Sequence, residues 1–356
     1  MTNKFYRPSS LQEFGSKVLQ AAGVPPEEAE LVSHSLVWAN LRGIDSHGIS
    51  RLPVYVNRIR NGLVNPVAHW RLIKEAKNLA WIDAENSLGQ VVAVEATKMC
   101  LVKARESGLG LVAIKNTNHF GAAAYYTSMM AREGYIGVAL TNAPPAMAPW
   151  GGRRALLGTN PISVAVPAGR YGMVVLDMAT STVARGKIRL AAAAGKPIPP
   201  DWAVDSQGQI TTDPREALQG SLFPLGGPKG YGLALVVDIL CGVLGGAAYA
   251  DLITPMYLEN PRGGLEKKNI GNLLMALDTG SFLSREEFST RMEDLCSRLK
   301  GVPLAAGVEK IYLPGEMEAE KMLERQQQGI PLSEPLFNKL LATAREVGAD
   351  VLIQGV

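Results

Sequence analysis

The chain has 356 residues, of which 47% are hydrophobic and 19% charged, and its formal net charge is +3. That length allows two domains or one elaborated domain, with a core that needs no staples, and the composition excludes a disordered chain. The basic clusters are only pairs, such as Arg153-Arg154 and Lys267-Lys268, so no polyanion field exists and nucleic acid is not indicated.

In chain order, the first 66 residues read as helical. Ser10-x-x-Glu13 has the capping-box pattern, with Leu11, Phe14 and Val18 as an apolar stripe. Pro25-Pro26 opens a second helix carrying Ala29, Val32, Leu36 and Ala39 on one face. Residues 43–48 read as a loop. From about residue 69 the texture becomes α/β: a helix from Leu88 to Ser107 stops at Gly108, an apolar run covers Leu109–Ile114, a small-residue helix covers Ala122–Glu133, and a second run follows at Tyr135–Leu140. Ile162–Val166 and Met173–Asp177 are joined by too short a link for a crossover helix. They predict a hairpin, and hence a sheet that is not all parallel. The apolar stretch Leu233–Ala248 contains Asp238 and several glycines; it is too short and interrupted for a membrane span and predicts a buried helix. Leu273–Leu277 is a late strand, Ser284-x-x-Glu287 caps another helix, and Val308–Gly315 breaks the helical C-terminal part. Cys100, Cys241 and Cys296 are widely spaced and odd in number, and Met1–Ser10 lacks an apolar signal core. Both point to a reduced, soluble, cytoplasmic protein.

Gly108-x-Gly110-x-x-Ala113 matches a dinucleotide fingerprint, but the glycines follow a helix and open a strand. The mechanism of that fingerprint needs the reverse order, so the match reads as a helix stop. Two segments concentrate chemistry. In Arg42–Pro53, His47 is a candidate acid or base and Arg51 a clamp for a carboxylate. A helix there would align His47, Arg51 and Tyr55, whereas Pro53 favours a loop that then starts a helix. The competing reading is a capped loop with a surface arginine and a structural histidine, while Asp45 with His47 would suit a metal-dependent hydrolase only with more ligands than the sequence offers. In Asn116–Gly121, His119 falls where a strand end meets a helix start. A helix dipole there would favour the neutral imidazole as proton acceptor; alternatively, Thr117 or Asn118 caps the helix and His119 is solvated. His34 and His69 read as structural, and the four histidines lack metal-site spacing. Turns at 151–152, 158–161, 226–230 and 313–316 offer backbone N–H groups to an anion, with Lys229 adding a charge. Asp177 at a strand end either bonds a ribose hydroxyl or caps the next helix.

Together the segments RGIDSHGISRLPVY, NTNHFGAAAYY, APWGGRRALLGTNPISVAVP, LDMATSTVARGKI, GGPKGYGLALVVDIL and YLPGE resemble the malate/L-lactate/L-sulfolactate dehydrogenase family, whose members include ureidoglycolate dehydrogenase, 2,3-diketogulonate reductase and Δ1-piperideine-2-carboxylate reductase. The resemblance spans residues 42–316. It implies an α/β, non-Rossmann, mixed-sheet body binding NAD or NADP at residues 69–294, with a helical domain from 1–68 and 295–356. It further implies a homodimer that moves hydride between the cofactor and a small 2-oxo or 2-hydroxy acid. By the same resemblance His47 and His119 are the acid/base candidates, and Arg51 and Thr159 bind substrate. Asp177, Met178, Ala179, Lys229, Gly230, Gly315 and Glu316 line the cofactor, and no metal is used. Residues 257–264 correspond to a variable family loop and carry no assigned role. A cyclic imine-2-carboxylate reductase and a non-catalytic homologue that binds NAD(P) and a carboxylate are the alternatives.

Overall fold

The computed structural model describes residues 4–254 and 269–356; the variable stretch 257–264 lies outside them. The chain begins with β1 (Lys4–Tyr6), α1 (Pro8–Ala21), α2 (Pro26–Leu41) and α3 (Leu52–Arg60). The central part comprises β2 (Arg71–Glu75), β3 (Leu79–Asp83), α4 (Gly89–Ser107), β4 (Leu109–Thr117), α5 (Ala124–Arg132), β5 (Tyr135–Thr141), β6 (Ile162–Pro167) and β7 (Met173–Met178). A smaller lobe of α6 (Arg185–Ala194), β8 (Ala203–Val204), α7 (Pro214–Gln219) and β9 (Ser221–Leu222) precedes α8 (Pro228–Asp238). The chain ends with β10 (Ile270–Asp278), α9 (Arg285–Lys300), α10 (Glu316–Gln328), β11 (Ile330–Leu332) and α11 (Glu334–Glu346).

Seven strands form one mixed sheet in the order β2-β3-β4-β10-β5-β6-β7. Only β3 and β4 pair in parallel, across the α4 crossover; the other neighbours are antiparallel. The β6–β7 pair is the hairpin expected from its short link. The late apolar run at 273–277 is β10, lodged at the sheet centre between β4 and β5. Strands β2 and β3 escape the sequence reading because most of their residues are exposed or half-buried and the apolar alternation is weak.

The α4–β4 junction explains the failed fingerprint. Gly108 closes α4 in the left-handed region at φ 78°. A Cβ on Gly110 would overlap the carbonyl oxygen of Cys100 and stand 2.9 Å from its Cα, so this glycine serves helix-on-strand packing. One core joins both ends of the chain: Leu11, Phe14, Leu36 and Leu52 pack with Ile330, Leu332 and Leu340, and β1 pairs antiparallel with β11. A second core, with Val92, Cys100, Ile114, Tyr126 and Leu274, lies between the sheet and helices α4 and α5.

Two sequence expectations need correction. Helix α1 starts at Pro8, not at a Ser10 cap. The buried Ser10 hydroxyl instead accepts the Gln354 N–H at 2.7 Å, tying down the far end of the chain; tertiary contact outweighs the local capping pattern. The 233–248 stretch is not a buried helix. Helix α8 ends at Asp238 and runs into a wider turn over Ile239–Leu244, and Leu233, Val236, Ile239, Val243 and Leu244 are exposed, Leu244 to 67%. Among the described residues no element covers their face. By contrast α9 begins as its capping box predicts, with the Ser284 hydroxyl accepting the Glu287 N–H.

Candidate active site

The His47 segment is two 3₁₀ turns, Asp45–His47 and Ile49–Arg51, running into α3, where Pro53 sits in the first turn. The turns are held from outside. Asn40, at the end of α2, donates to Asp45 Oδ1 at 2.5 Å and accepts the Ile49 N–H at 2.7 Å. Arg325 of α10 forks onto both carboxylate oxygens of Asp45, at 2.7 and 3.0 Å, and also donates to the Asn40 carbonyl. Asp45 is thus an anchor, in keeping with the strength of bidentate arginine–carboxylate pairs, and this use leaves the hydrolase reading without its acid. Gly48 is glycine because any Cβ would run into the Asn40 amide. The Arg51 Nε donates to the Ser46 carbonyl at 2.5 Å, and the Ser46 hydroxyl lies 2.9 Å from His47 Nδ1.

His119 is carried by the β4–α5 turn. It does not sit in the first turn of α5, which begins at Ala124. Neither Thr117 nor Asn118 caps that helix: its first N–H, on Ala124, bonds Asp177 Oδ2 at 3.0 Å. Asn118 is spent on anchoring, its amide donating to the Asn86 and Ser87 carbonyls at 3.1 and 3.0 Å. The start of α4 presses against this turn so closely that a Cβ on Gly89 would overlap the Asn118 carbonyl oxygen and lie 2.7 Å from that of His119.

These constraints bring the two imidazoles together. Their rings stack with centroids 5.4 Å apart and planes 20° from parallel. Tyr55 of α3 contacts His119 Nδ1 through its hydroxyl at 2.7 Å. Burial and the neighbouring Arg51 charge push the His47 pKa down to about 3, so this ring is neutral near pH 7.

The remaining expected residues gather at the ends of β6 and β7. The Thr159 carbonyl accepts both the N–H and the hydroxyl of Thr180, at 2.9 and 3.0 Å. Gly230 in α8 packs on the same strand end, where a Cβ would lie 2.7 Å from the Thr180 carbonyl oxygen. Asp177, Met178 and Ala179 lead into Thr180, and the Asp177 bond to Ala124 links them to the turn that bears His119. Burial raises the Asp177 pKa to about 6, against the lowering effects of the Ala124 N–H and the Arg42 charge. Gly315 rests on β7 beside Val175, whose N–H donates to the Pro314 carbonyl. Glu316 is turned away into that loop, accepting Lys300 Nζ at 2.8 Å and the Leu313 N–H at 2.9 Å. Lys229 is exposed at the start of α8. The group fits an elongated anionic cofactor: hydroxyl, carboxylate and helix N-terminus share one strand edge, and a Cβ at Gly226 would meet nothing within 4 Å. Asn40, Arg325, Gly89 and Gln90 were not found from sequence, because none lies in a motif and each acts through tertiary contact.

Among the described residues no helix is long and apolar enough to cross a membrane. The sequence model of the malate/L-lactate dehydrogenase family matches residues 6–341. The chain is 38% identical to L-sulfolactate dehydrogenase of Methanocaldococcus jannaschii over 97% of this chain and 98% of that protein. The solved structure of that enzyme superposes with a TM-score of 0.89, covering 97% of both chains. Identity is 41% to (2R)-3-sulfolactate dehydrogenase (NADP(+)) of Chromohalobacter salexigens, over 74% of this chain and 78% of that one. It is 33% to ureidoglycolate dehydrogenase (NAD(+)) of Escherichia coli (strain K12), over 96% of each. Fold and comparisons together define a dehydrogenase of hydroxy acids built on a non-Rossmann mixed sheet. The chain belongs to the malate/L-lactate dehydrogenase family.

Proposed function

We propose that the chain interconverts a small 2-oxo acid and its 2-hydroxy acid with NAD or NADP as hydride carrier. The observation that carries this reading is the stacked His47–His119 pair, with Arg51 beside it on a rigid turn. The relatives' names support it, since one is a sulfolactate dehydrogenase using NADP(+) and another a ureidoglycolate dehydrogenase using NAD(+). When bound, the nicotinamide supplies or takes up the hydride. Arg51, oriented through Ser46, grips the substrate carboxylate, with Thr159 at the neighbouring strand end. His119 delivers the proton to the carbonyl oxygen, and the neutral His47 packs against its ring and directs the same oxygen. Asp177, Met178, Ala179, Gly230 and Gly315 would line the cofactor, the exposed Lys229 would supply a positive charge for its phosphates, and Glu316 holds the 313–316 loop through Lys300 and the Leu313 N–H.

The test is oxidation of NADH and NADPH over pyruvate, oxaloacetate, sulfopyruvate, a ureidoglycolate-derived oxo acid and a cyclic imine-2-carboxylate. At least one oxo acid should turn over, and Arg51→Ala should raise its KM at least about tenfold with a smaller change in kcat. Turnover of the imine alone would replace the oxo-acid reading, and oxidation of neither cofactor with any of them would remove the enzyme reading.

We further infer a homodimer in the reduced cytoplasm. The three buried thiols suit that compartment, and the exposed apolar face of α8 and residues 239–244 suits a subunit contact. Val243→Glu with Leu244→Glu should convert a dimer to monomer in sedimentation equilibrium. A wild-type chain that sediments as a monomer would remove this inference.

A further inference from the structure

A cavity of about 440 Å³ lies between the smaller lobe and residues 145–155, and three arginines line it: Arg153, Arg154 and Arg185. Pro145, Ser206 and Gln219 belong to its other walls, and none of the residues lining it is acidic. Arg185, the first residue of α6, is half-buried. Its guanidinium donates to the Pro145 carbonyl at 3.1 Å and to the Leu218 carbonyl at 2.8 Å, which ties the segment after β5 to α7 across the cavity. Burial and the nearby Arg189 charge push its pKa below the ordinary guanidinium value, and among the described residues no carboxylate answers its charge. Arg153 donates to Gln207 Oε1 at 3.2 Å, and Arg154 stands 3.6 Å from Asp251 in an exposed pair of the kind that contributes little. Like charges that share one cavity repel each other, and its walls concentrate their field. An anion relieves that repulsion.

The cavity adjoins the substrate side of the candidate site. Gly186, next to Arg185, packs on Ser46: a Cβ there would stand 3.7 Å from the Ser46 Cβ, and the Ser46 carbonyl orients Arg51. Pro145 follows Ala143, whose N–H donates at 3.0 Å to the side chain of Asn160, the neighbour of Thr159. Arg185 follows Thr180, which bonds the Thr159 carbonyl twice. The turn bearing Arg153 and Arg154 is itself seated, since a Cβ on Gly227 would lie 3.0 Å from the Trp150 ring and one on Gly208 3.0 Å from the Arg153 Cβ.

We propose that this cavity receives the second acid group, a carboxylate or a sulfonate, of a doubly charged 2-oxo acid whose first carboxylate is held by Arg51. The inference rests on the dehydrogenase reading and narrows it. The relatives' names include sulfolactate, with two acid groups, and ureidoglycolate, with one, so kinship leaves the choice open and the arginines make it. Arg185, fixed by two carbonyls, keeps further N–H groups for the incoming oxygens. A substrate with an uncharged end leaves the guanidinium groups unanswered, which adds to the discrimination.

Oxaloacetate and sulfopyruvate, set against pyruvate and 2-oxobutyrate, separate charge from bulk. With NADH or NADPH at low ionic strength, the better dianion should exceed both monoanions in kcat/KM by about 10²-fold, mostly through KM, and the advantage should shrink in high salt. Whether oxaloacetate or sulfopyruvate leads names the acid group. The double variant Arg153→Gln, Arg154→Gln and the single variant Arg185→Gln should each reduce the ratio of dianion to 2-oxobutyrate by about tenfold. Should Arg185→Gln fail to fold, the double variant on the exposed turn decides alone. A wild type that treats dianions and 2-oxobutyrate alike, or a double variant with an unchanged ratio, overturns the proposal and leaves the dehydrogenase reading standing. So does an equal loss for all four acids, or a shift between NADPH and NADH in place of one between acids. If no acid turns over, calorimetry with malate and 2-hydroxybutyrate decides: tighter binding of malate, lost in the double variant, retains the cavity's role and rejects the dehydrogenase reading, whereas equal binding removes both.

Discussion

His119→Ala is expected to lower kcat by about 10²–10⁴-fold while leaving the KM for the oxo acid within a few-fold of its starting value. The asymmetry follows from where the groups sit. In the function proposed above Arg51 binds the carboxylate, whereas His119, in contact with the Tyr55 hydroxyl through Nδ1 and stacked on His47, is the proton donor. His47 behaves differently, because burial and Arg51 push its pKa down to about 3. At pH 7 it is then the neutral imidazole and not the imidazolium, so the role we propose for it is the narrower one of packing and orientation. His47→Ala should accordingly lose less in kcat than His119→Ala. Steady-state kinetics of both variants on the best oxo acid provides the check; equal losses, or a larger loss at His47, would reverse the roles.

The second large effect is expected from a residue with no functional group. Gly89→Ala should lower stability by about 1–3 kcal/mol and also reduce kcat strongly. The added methyl overlaps the Asn118 carbonyl and crowds that of His119, and neither atom is the end of a flexible side chain. Relief requires α4 and the β4–α5 turn to part, which tilts the imidazole that turn carries, and a misplacement of about 1 Å can cost 10²-fold in rate. Urea denaturation and kinetics on one preparation test both halves. Loss of stability with unchanged kcat would mean that the turn gives way without moving His119.

Much of the frame around the site is legible in the sequence. The runs on either side of His119 end at Gly108 and Gly134, whose φ angles are 78° and 86°, and glycine at a helix end is a local signal that needs no tertiary knowledge. The β6–β7 hairpin follows from the shortness of residues 168–172. The place of β10 does not, since an apolar run states that it is a strand and not which strands it joins. The Ser10 cap misled for a related reason, its hydroxyl being claimed by Gln354. Within the site, the residues alone point to His47 with Arg51 in one segment and His119 in another, with Tyr55 noted only as sharing a possible helical face with His47 and Arg51, and only the family resemblance sets the two histidines and Arg51 in one place. The contacts that bring them there, Asn40 and Arg325 on Asp45 and Gly89 under His119, run between distant segments and leave no local pattern.

The sheet order has a consequence for how the protein is made. Strands β4 and β5 emerge early, yet each must wait for β10 to supply its missing edge, and the first core waits longer still, for Ile330 to Leu340. A nascent chain halted anywhere before residue 340 therefore exposes two unpaired strand edges or an open apolar bowl. Pairing at the sheet centre and closure of the first core thus depend on segments far apart in the chain, and until they meet the open strand edges are the places where a partly folded chain would pair wrongly.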